Sequence, residues 1–274
     1  MKRKTLGLAL GAGSTKGFAH IGVLQVLQEQ EIPIDAIAGC SMGAIIGSIF
    51  AVGGDMYMLE KYIATLNIRH YLDIANPFNG GLLRGKRLQD QVRTLTHDKD
   101  FSETNIPFLC TAVNAENCNL EILSSGKLHE SVRASMSMPG FFQPHSLHGN
   151  LYIDGAVIER VPVNALKERG LDVVIGVDVG FRGEDEDIVS MNAYQLAGHT
   201  INIMQWNMAK QSQIHADVMI VPDVRQYVHG RFQMDMIDRS VKSGRQATED
   251  ALPQIRELLS KKSVWRSLRG LWDR

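Results

Sequence analysis

The sequence predicts a three-layer α/β/α fold in which a mainly parallel central sheet lies between helices. Short apolar runs alternate along the chain with stretches of helical period, which is typical of this class. The run at residues 173–177 is continuously apolar, as in strands that are buried on both faces. The 274 residues are 44% hydrophobic and 22% charged, and no Gly/Ser/Pro-rich linker divides them. We therefore expect one large core.

The first four elements alternate as strand, helix, strand and helix. Residues 5–10 form an apolar run, and apolar side chains between residues 17 and 30 recur on one broad helix face. Pro33 interrupts the chain, and the run at 34–39 leads into a helix of small residues at 42–52. This order begins a parallel sheet with helical crossovers.

Later segments repeat the alternation. The runs around Leu109 and Ile122 are compatible with an antiparallel hairpin. Further strands are predicted at residues 107–115, 120–124, 151–153, 173–179 and 218–221. Further helices are predicted at residues 56–66, 86–96, 131–136, 162–169, 192–211 and 235–261.

Composition argues against several functions. Lys and Arg total 29 against 30 Asp and Glu, so no basic field is present to bind nucleic acid. Cys40, Cys110 and Cys118 show no CxxC spacing, which argues against a disulfide framework and against a zinc site. The sequence predicts neither a signal peptide nor a membrane span. We expect a cytoplasmic protein that uses no metal and no cofactor.

Residues 39–43 form a Gly-x-Ser-x-Gly pattern between a predicted strand and a predicted helix. That context is typical of a nucleophile elbow, with Ser41 on a sharp turn. Gly39 and Gly43 leave room for neighbouring backbone, and the N-terminus of the following helix favours negative charge. A tight turn without a chemical role is the alternative.

A second glycine-rich turn, at residues 11–17, follows the first strand. Its backbone N–H groups can point at an anion above a helix N-terminus. A dinucleotide site would need an acidic residue at the end of the second strand, but Asp35 lies at the beginning of that strand. We therefore favour an oxyanion hole, with donors one strand away from Ser41.

Asp154 is the leading candidate for a base that activates Ser41. It ends the apolar run at 151–153 and precedes Gly155, so a short strand delivers a carboxylate into a turn. An exposed carboxylate is a poor base for a hydroxyl, so Asp154 would have to be partly desolvated and hydrogen-bonded directly to Ser41. A plain Asp-Gly β-turn is the alternative.

These segments together resemble the successive blocks of the patatin-like phospholipase family. The blocks are the glycine-rich turn, the Ser41 elbow, residues 135–139 and residues 154–156, and they span residues 5 to about 165. The resemblance implies a patatin-like fold, a catalytic domain at residues 1–255 and a Ser41–Asp154 dyad. It also implies hydrolysis of lipid acyl esters, of the phospholipase A or lysophospholipase type, without a metal. The chain looks most like the small bacterial members.

The resemblance further implies an oxyanion hole in the glycine-rich turn, with Gly13 as its leading donor. Where the family often has Gly-Gly-Gly, this chain has Ala12-Gly13-Ser14. The hole is assigned to Gly11, Ala12, Gly13 and Ser14. The supporting residues of the motifs are Lys16, Gly17, Gly39, Gly43 and Gly155.

The C-terminal tail, residues 256–274, is predicted to be basic and amphipathic. Trp265, Leu268 and Trp272 fall on one helical face, with arginines opposite. Such a segment can lie in a membrane interface, which predicts peripheral contact with the inner face of the membrane. Docking of the tail on its own domain is the alternative. Residues 135–142 suit either the wall of an acyl pocket or core packing.

The sequence therefore predicts a serine hydrolase that acts on lipid acyl esters. One alternative is an esterase of the α/β-hydrolase type, in which His199, His215 or His229 would be the base, because they follow Asp154 in the order of that triad. Another alternative is a nucleotide- or ligand-binding regulatory protein in which the serine has no chemical role.

Overall fold

The computed structural model describes residues 3–66, 73–76, 80–184, 188–224 and 234–260. Within these residues the strands are β1 (Leu6–Leu10), β2 (Ala36–Gly39), β3 (Gly81–Leu83), β4 (Phe108–Asn114), β5 (Leu120–Leu123), β6 (Gly140–Phe142), β7 (His145–Leu147), β8 (Asn150–Asp154), β9 (Val173–Val177) and β10 (Val218–Ile220). The helices are α1 (Ala19–Glu29), α2 (Met42–Ala51), α3 (Met56–Thr65), α4 (Lys86–Leu95), α5 (Leu128–Ser135), α6 (Val163–Lys167), α7 (Ala193–Ser212) and α8 (Met234–Ser260).

The main sheet has the strand order β10-β9-β1-β2-β4-β8-β7, and β5 pairs with β4 off this path. β10, β9, β1, β2 and β4 are parallel to one another, whereas β5, β7 and β8 pair antiparallel. The pairing of β4 with β5 confirms the hairpin. Because the sheet is mostly parallel and carries helices on both faces, the predicted fold class is confirmed.

The side chains on the two faces of β1 pack into hydrophobic cores of different size. Leu6, Leu8 and Leu10 point into a large core that contains residues of α1, α2, α3 and α8. Ala9 points into a smaller core, together with Ala36, Ala38 and residues of α6. Small side chains on this second face let α6 pack close to the sheet, because a helix approaches a sheet according to the size of the side chains between them.

Most predicted elements agree with the structure to within a few residues. The short strands β3, β6 and β7 were not predicted, although β10, which is also three residues long, was. α8 continues to Ser260, across the predicted boundary between residues 255 and 256. The rest of the tail, residues 261–274, lies outside the described residues. No helix in the described ranges combines the length and apolarity needed to cross a bilayer.

Candidate active site

One edge of β4 brings two predicted site residues together. β2 pairs with the first half of β4, with Gly39 opposite Cys110, and β8 pairs with the second half, with Asp154 opposite Ala112. β5 pairs with the same residues of β4 from the other edge, so β2 and β8 share one edge and meet end to end. Because two strand residues span about 7 Å, the end of β8 lies beside the turn that follows β2.

Ser41 occupies the sharp turn between β2 and α2. Its φ of 54° and ψ of −118° lie in a region that residues other than glycine rarely adopt, at a cost of about 1–3 kcal/mol. A Cβ at Gly39 would lie 2.5 Å from Ala44 Cα, and a Cβ at Gly43 would lie 2.1 Å from Leu10 O. Both positions therefore require glycine, and the pattern at residues 39–43 is a strand-turn-helix elbow.

Asp154 is 2% exposed, and its hydrogen-bond donors are neutral groups. Its Oδ1 accepts the N–H of Ala156 at 2.9 Å and the thiol of Cys40 at 3.6 Å, and the Ser41 side chain also interacts with the carboxyl. Burial raises the pKa of Asp154 to about 6, and these hydrogen bonds oppose the rise. Asp154 thus combines desolvation with an interaction with the Ser41 side chain.

Residues 135–137, at the end of α5, accept hydrogen bonds from the backbone of both Ser41 and Asp154. The N–H of Ser41 donates to Ser135 Oγ at 3.0 Å, and the N–H of Asp154 donates to Ser137 O at 3.0 Å. Both serines are buried. Sequence reasoning singled out this segment as a block of the family resemblance and as a pocket wall or core, but it predicted neither contact, because a backbone hydrogen bond across the fold leaves no local signal.

The glycine-rich turn after β1 contains two kinds of backbone amide. The N–H groups of Gly11 and Ala12 donate to carbonyl oxygens of β9 and of the segment after β8, at 3.0 and 2.9 Å. The N–H groups of Gly13 and Ser14 donate to no other residue in the described part of the chain. Ser14 has a φ of 51°, a left-handed conformation that glycine adopts more readily.

Two further predicted glycines let these segments approach each other. A Cβ at Gly17 would lie 2.3 Å from Met42 Cγ, which follows the elbow serine. A Cβ at Gly155 would lie 2.6 Å from Thr111 O in β4. The first contact joins the glycine-rich turn to α2, and the second joins the turn after Asp154 to the sheet.

A lysine and a histidine side chain flank the glycine-rich turn. Lys16 Nζ pairs with Glu184 at 3.3 Å, and the two side chains are 15% and 5% exposed. His20 is fully buried, and its Nε2 lies 2.7 Å from Gly11 O. Because burial lowers the pKa of His20 to about 4, its ring is neutral at pH 7 and donates an N–H to that carbonyl. The sequence analysis did not single out His20.

A buried ion pair anchors the same turn and was also not predicted. The guanidinium of Arg160 donates to Asp178 Oδ2 at 2.6 Å, and both side chains are nearly inaccessible. Gln213 and the N–H of Gly180 also donate to this carboxylate, at 2.5 and 3.1 Å. The backbone carbonyl of Arg160 accepts the N–H of Ala12. The pair therefore fixes the base of the turn, on the side away from Asp154.

The histidines that could replace Asp154 as a base make other contacts. The ring of His199 packs edge-on against Phe181, with 5.3 Å between centroids. His215 Nδ1 lies 2.6 Å from Asn164 Oδ1 on the surface. Neither contact involves the elbow serine, and His229 lies outside the described residues. The described geometry therefore favours a carboxylate partner for the serine over a histidine.

Asp35 lies just before β2, at the end of that strand opposite to the elbow. Its carboxylate accepts the N–H of Leu6 at 2.8 Å and the guanidinium of Arg3 at 2.6 Å. A dinucleotide site needs its acidic residue beside the glycine-rich turn. This placement therefore argues against the nucleotide-binding alternative.

Comparison with known sequences assigns most of these residues to one family. The sequence model of that family, described as Patatin-like phospholipase, matches residues 8–167. The lysophospholipase NTE1 of Cryptococcus neoformans var. neoformans is 34% identical over 183 residues, which cover 64% of this chain and 11% of that protein. The lysophospholipase NTE1 of Coccidioides immitis is 31% identical over 210 residues, with 74% and 13% coverage. The chain thus spans a small part of the curated relatives it matches.

Comparison with solved structures shows the same fold at low sequence identity. VipD from Legionella pneumophila superposes with a TM-score of 0.57 and 17% identity, over 92% of this chain and 67% of that one. The type III effector protein ExoU superposes with a TM-score of 0.52 and 10% identity, over 95% and 54%. Identities this low support the fold assignment alone.

Proposed function

The chain belongs to the patatin-like phospholipase family, and from this premise we propose that it hydrolyses acyl esters of lipids by means of a Ser41–Asp154 dyad. The observation that carries the proposal is the position of Asp154: its buried carboxyl, with a pKa raised to about 6, lies at the end of β8 beside the Ser41 elbow, and the Ser41 side chain interacts with it. Such a carboxylate accepts a proton more readily than an exposed one, yet it is ionised at pH 7. The substrate class is that of phospholipase A or lysophospholipase enzymes.

The proposed reaction has two steps. Asp154 takes the proton of the Ser41 hydroxyl while the oxygen attacks the acyl carbonyl, and the proton then passes to the leaving alcohol as the ester bond breaks. In the second step Asp154 takes a proton from water, which attacks the acyl-enzyme and releases the fatty acid. The proton returns to Ser41, so the dyad is regenerated without a metal or a cofactor.

We assign the oxyanion donors to the N–H groups of Gly13 and Ser14. Of the four residues predicted for the hole, Gly11 and Ala12 use their N–H groups in backbone hydrogen bonds. A donor that already has an acceptor would have to break that bond to hold an oxyanion, which would cost the stabilisation it provides. The two amides that follow are the ones that donate to no other described residue.

Covalent labelling with a fluorophosphonate tests the dyad, because this reagent reports an activated serine. In the parent chain we expect one adduct, located at Ser41 by mass spectrometry. Ser41→Ala should give no adduct, and Asp154→Asn should slow labelling and ester hydrolysis by at least about a thousandfold. Circular dichroism checks that each variant is folded.

Glu159→Gln is the matched control. Glu159 is 5% exposed and burial also raises its pKa to about 6, but its carboxylate accepts the N–H of Asn164. If a raised pKa alone identified the base, this variant would be as inactive as Asp154→Asn. We expect labelling at the parent rate. Full labelling of folded Asp154→Asn, or an adduct on another residue, would contradict the proposed dyad.

Two further predictions concern location. Peripheral membrane contact through residues 256–274 stays a prediction, because most of that tail lies outside the described residues. A cytoplasmic location also stays a prediction.

A further inference from the structure

Arg133, in α5, is a buried cation near the candidate dyad. It is 2% exposed, although arginine is rarely buried to this extent unless it is paired. Burial lowers its pKa to about 10, so the guanidinium is charged at pH 7. The carboxylate of Asp73 opposes this shift, but its oxygens accept the backbone N–H groups of Gly85 and Lys86 at 2.8 and 2.7 Å. The hydrogen bonds of the guanidinium within the described residues go to neutral oxygens.

The guanidinium of Arg133 joins three segments of the chain. Its Nη1 donates to Ser137 Oγ at 2.6 Å, and its Nη2 donates to the backbone carbonyls of Arg84 and Gln143 at 2.5 and 2.8 Å. Arg84 follows β3 and Gln143 follows β6, so one side chain ties these two loops to the end of α5. The planar fork of five N–H donors suits acceptors in separate segments, which the single nitrogen of lysine reaches less well.

The surroundings of Arg133 fit a guanidinium. A Cβ at Gly85 would lie 2.5 Å from Arg133 Nε, and the φ of 73° at Gly85 is one that glycine adopts without strain. The ring of Phe142 lies with its centroid 5.6 Å from the guanidinium carbon, within the range of a cation–π contact. These contacts restrict the guanidinium to a position from which Nη1 reaches Ser137.

Ser137 connects Arg133 to the dyad. Its Oγ accepts the Nη1 hydrogen bond and donates to Arg133 O at 2.9 Å, and its carbonyl accepts the N–H of Asp154 at 3.0 Å. Two residues earlier, Ser135 Oγ accepts the N–H of Ser41 at 3.0 Å. Both members of the dyad are thus attached to residues 135–137, and Arg133 holds the end of that segment. A displacement of about 1 Å between reacting groups costs up to about a hundredfold in rate.

We propose that Arg133 is a positioning residue for the Ser41–Asp154 dyad and that it acts through the Ser137 hydroxyl. The inference rests on the proposed function, which assigns the two reacting groups. Arg133 bonds neither of them, because its donors reach Ser137 and two backbone carbonyls. Its loss should therefore slow the chemical step and lower kcat, while KM stays near the parent value.

Fluorophosphonate labelling of the full chain separates a positioning role from a purely structural one. The final fraction of molecules labelled counts folded sites, whereas the rate of labelling reports how strongly the serine is activated. Arg133→Met should label to the parent fraction at a rate about a hundredfold lower. Hydrolysis of p-nitrophenyl butyrate should show a similar fall in kcat, with KM within about twofold of the parent. A parental rate combined with a smaller labelled fraction would mean that Arg133 only supports the fold, and it would overturn the proposal.

Ser137→Ala tests the route, and it decides the question if Arg133→Met does not fold. It removes the hydroxyl that Arg133 reaches but keeps the carbonyl that accepts the N–H of Asp154, and it should lower the labelling rate about tenfold. The double variant should be no slower than Arg133→Met alone, because both substitutions break the same link. A parental rate in Ser137→Ala, or effects that multiply in the double variant, would overturn the proposal.

Two control variants match these changes. Ser131→Ala removes a hydroxyl from the same helix, at a residue that is also 2% exposed, and it should leave the labelling rate within about twofold of the parent. Ile255→Ala empties a fully buried position in α8, so it should lower the midpoint of urea denaturation without changing the rate. If either control slows labelling as much as its counterpart, a general loss of packing explains the effect and the proposal is overturned.

The same measurements keep failure of the dyad apart from failure of this inference. A parent chain that gives no Ser41 adduct would refute the dyad and the inference together. A parental rate in Arg133→Met and Ser137→Ala, beside slow labelling of Asp154→Asn, would leave the dyad in place and overturn the positioning role alone.

Discussion

Two buried aspartates lie on opposite sides of the glycine-rich turn, and their surroundings differ in charge. Asp178 is 1% exposed and faces the guanidinium of Arg160 at 2.6 Å. Asp154 is 2% exposed, accepts hydrogen bonds from a thiol and one backbone N–H, and interacts with the Ser41 hydroxyl, and all three groups are neutral. The two aspartates are therefore buried to the same extent, but only the negative charge of Asp178 is compensated by a cation.

The comparison shows that one buried aspartate contributes to stability through an ion pair, whereas the other has a raised pKa. A carboxylate paired with a buried cation is held in position by that cation. A carboxylate that is desolvated without a cation keeps a raised pKa, which makes it a better base and a less stable component of the folded chain.

Removing the cation from Asp178 should have the largest effect on stability. Arg160→Met leaves a buried carboxylate without its partner, which should lower the free energy of unfolding by about 3–5 kcal/mol. Urea denaturation at pH 7 measures it. Lys167→Met is the control, because Lys167 pairs with Asp217 at the same 2.6 Å but both side chains are about one-third exposed. The control should lose less than about 1 kcal/mol, and equal losses would contradict the role given to burial.

Replacing Asp154 with a neutral residue should raise the free energy of unfolding at pH 8, whereas Arg160→Met should lower it. The pKa of Asp154 is raised from 3.8 to about 6 in the folded chain, so the folded state keeps its proton to a higher pH than the unfolded state. Stability is therefore lost as the pH rises from about 4 to about 6, by roughly 3 kcal/mol at most. Asp154→Asn should remove that loss and be more stable than the parent at pH 8, with a difference that shrinks toward pH 5.

Asp178→Asn tests whether the expected gain in stability is specific to Asp154 or follows from the loss of any buried carboxylate. The substitution leaves Arg160 buried without its anion, so it should destabilise the chain at pH 8. Urea denaturation of the three proteins at pH 5 and pH 8 makes the comparison. Changes of the same sign in both variants at pH 8 would refute the contrast between the two sites.

The role of Asp154 is easier to predict from the sequence than the role of Asp178. Asp154 stands in a local pattern, a short apolar strand that ends in Asp-Gly, and Ser41 stands in a Gly-x-Ser-x-Gly whose glycines are needed for close backbone approach. Asp178 directly follows β9, but its role depends on Arg160, 18 residues earlier. An arginine is usually exposed, and no periodicity marks one that folds inward.

The same distinction applies to the fold. Most strands and the amphipathic helices were predictable because apolar runs and helical periodicity are local features of the sequence. The meeting of β2 and β8 on one edge of β4 depends on register, which follows from pairings between segments far apart in sequence. Neither Ser135 nor Cys40 could therefore be assigned its contact before the strands were aligned.

The smallest expected effect concerns the neutral donors around Asp154. The Cys40 thiol lies 3.6 Å from Asp154 Oδ1, and its hydrogen bond lowers the pKa of the carboxyl. If Asp154 is the base, kcat/KM for a soluble ester rises with pH through a midpoint near 6. Cys40→Ala removes one donor to the ionised form, so the midpoint should move up by about 0.3–0.5 pH units. Cys118→Ala, which removes an exposed thiol, should leave it unchanged. A midpoint that stays fixed in Cys40→Ala, or moves down, would mean that the thiol does not help to set the proton affinity of Asp154.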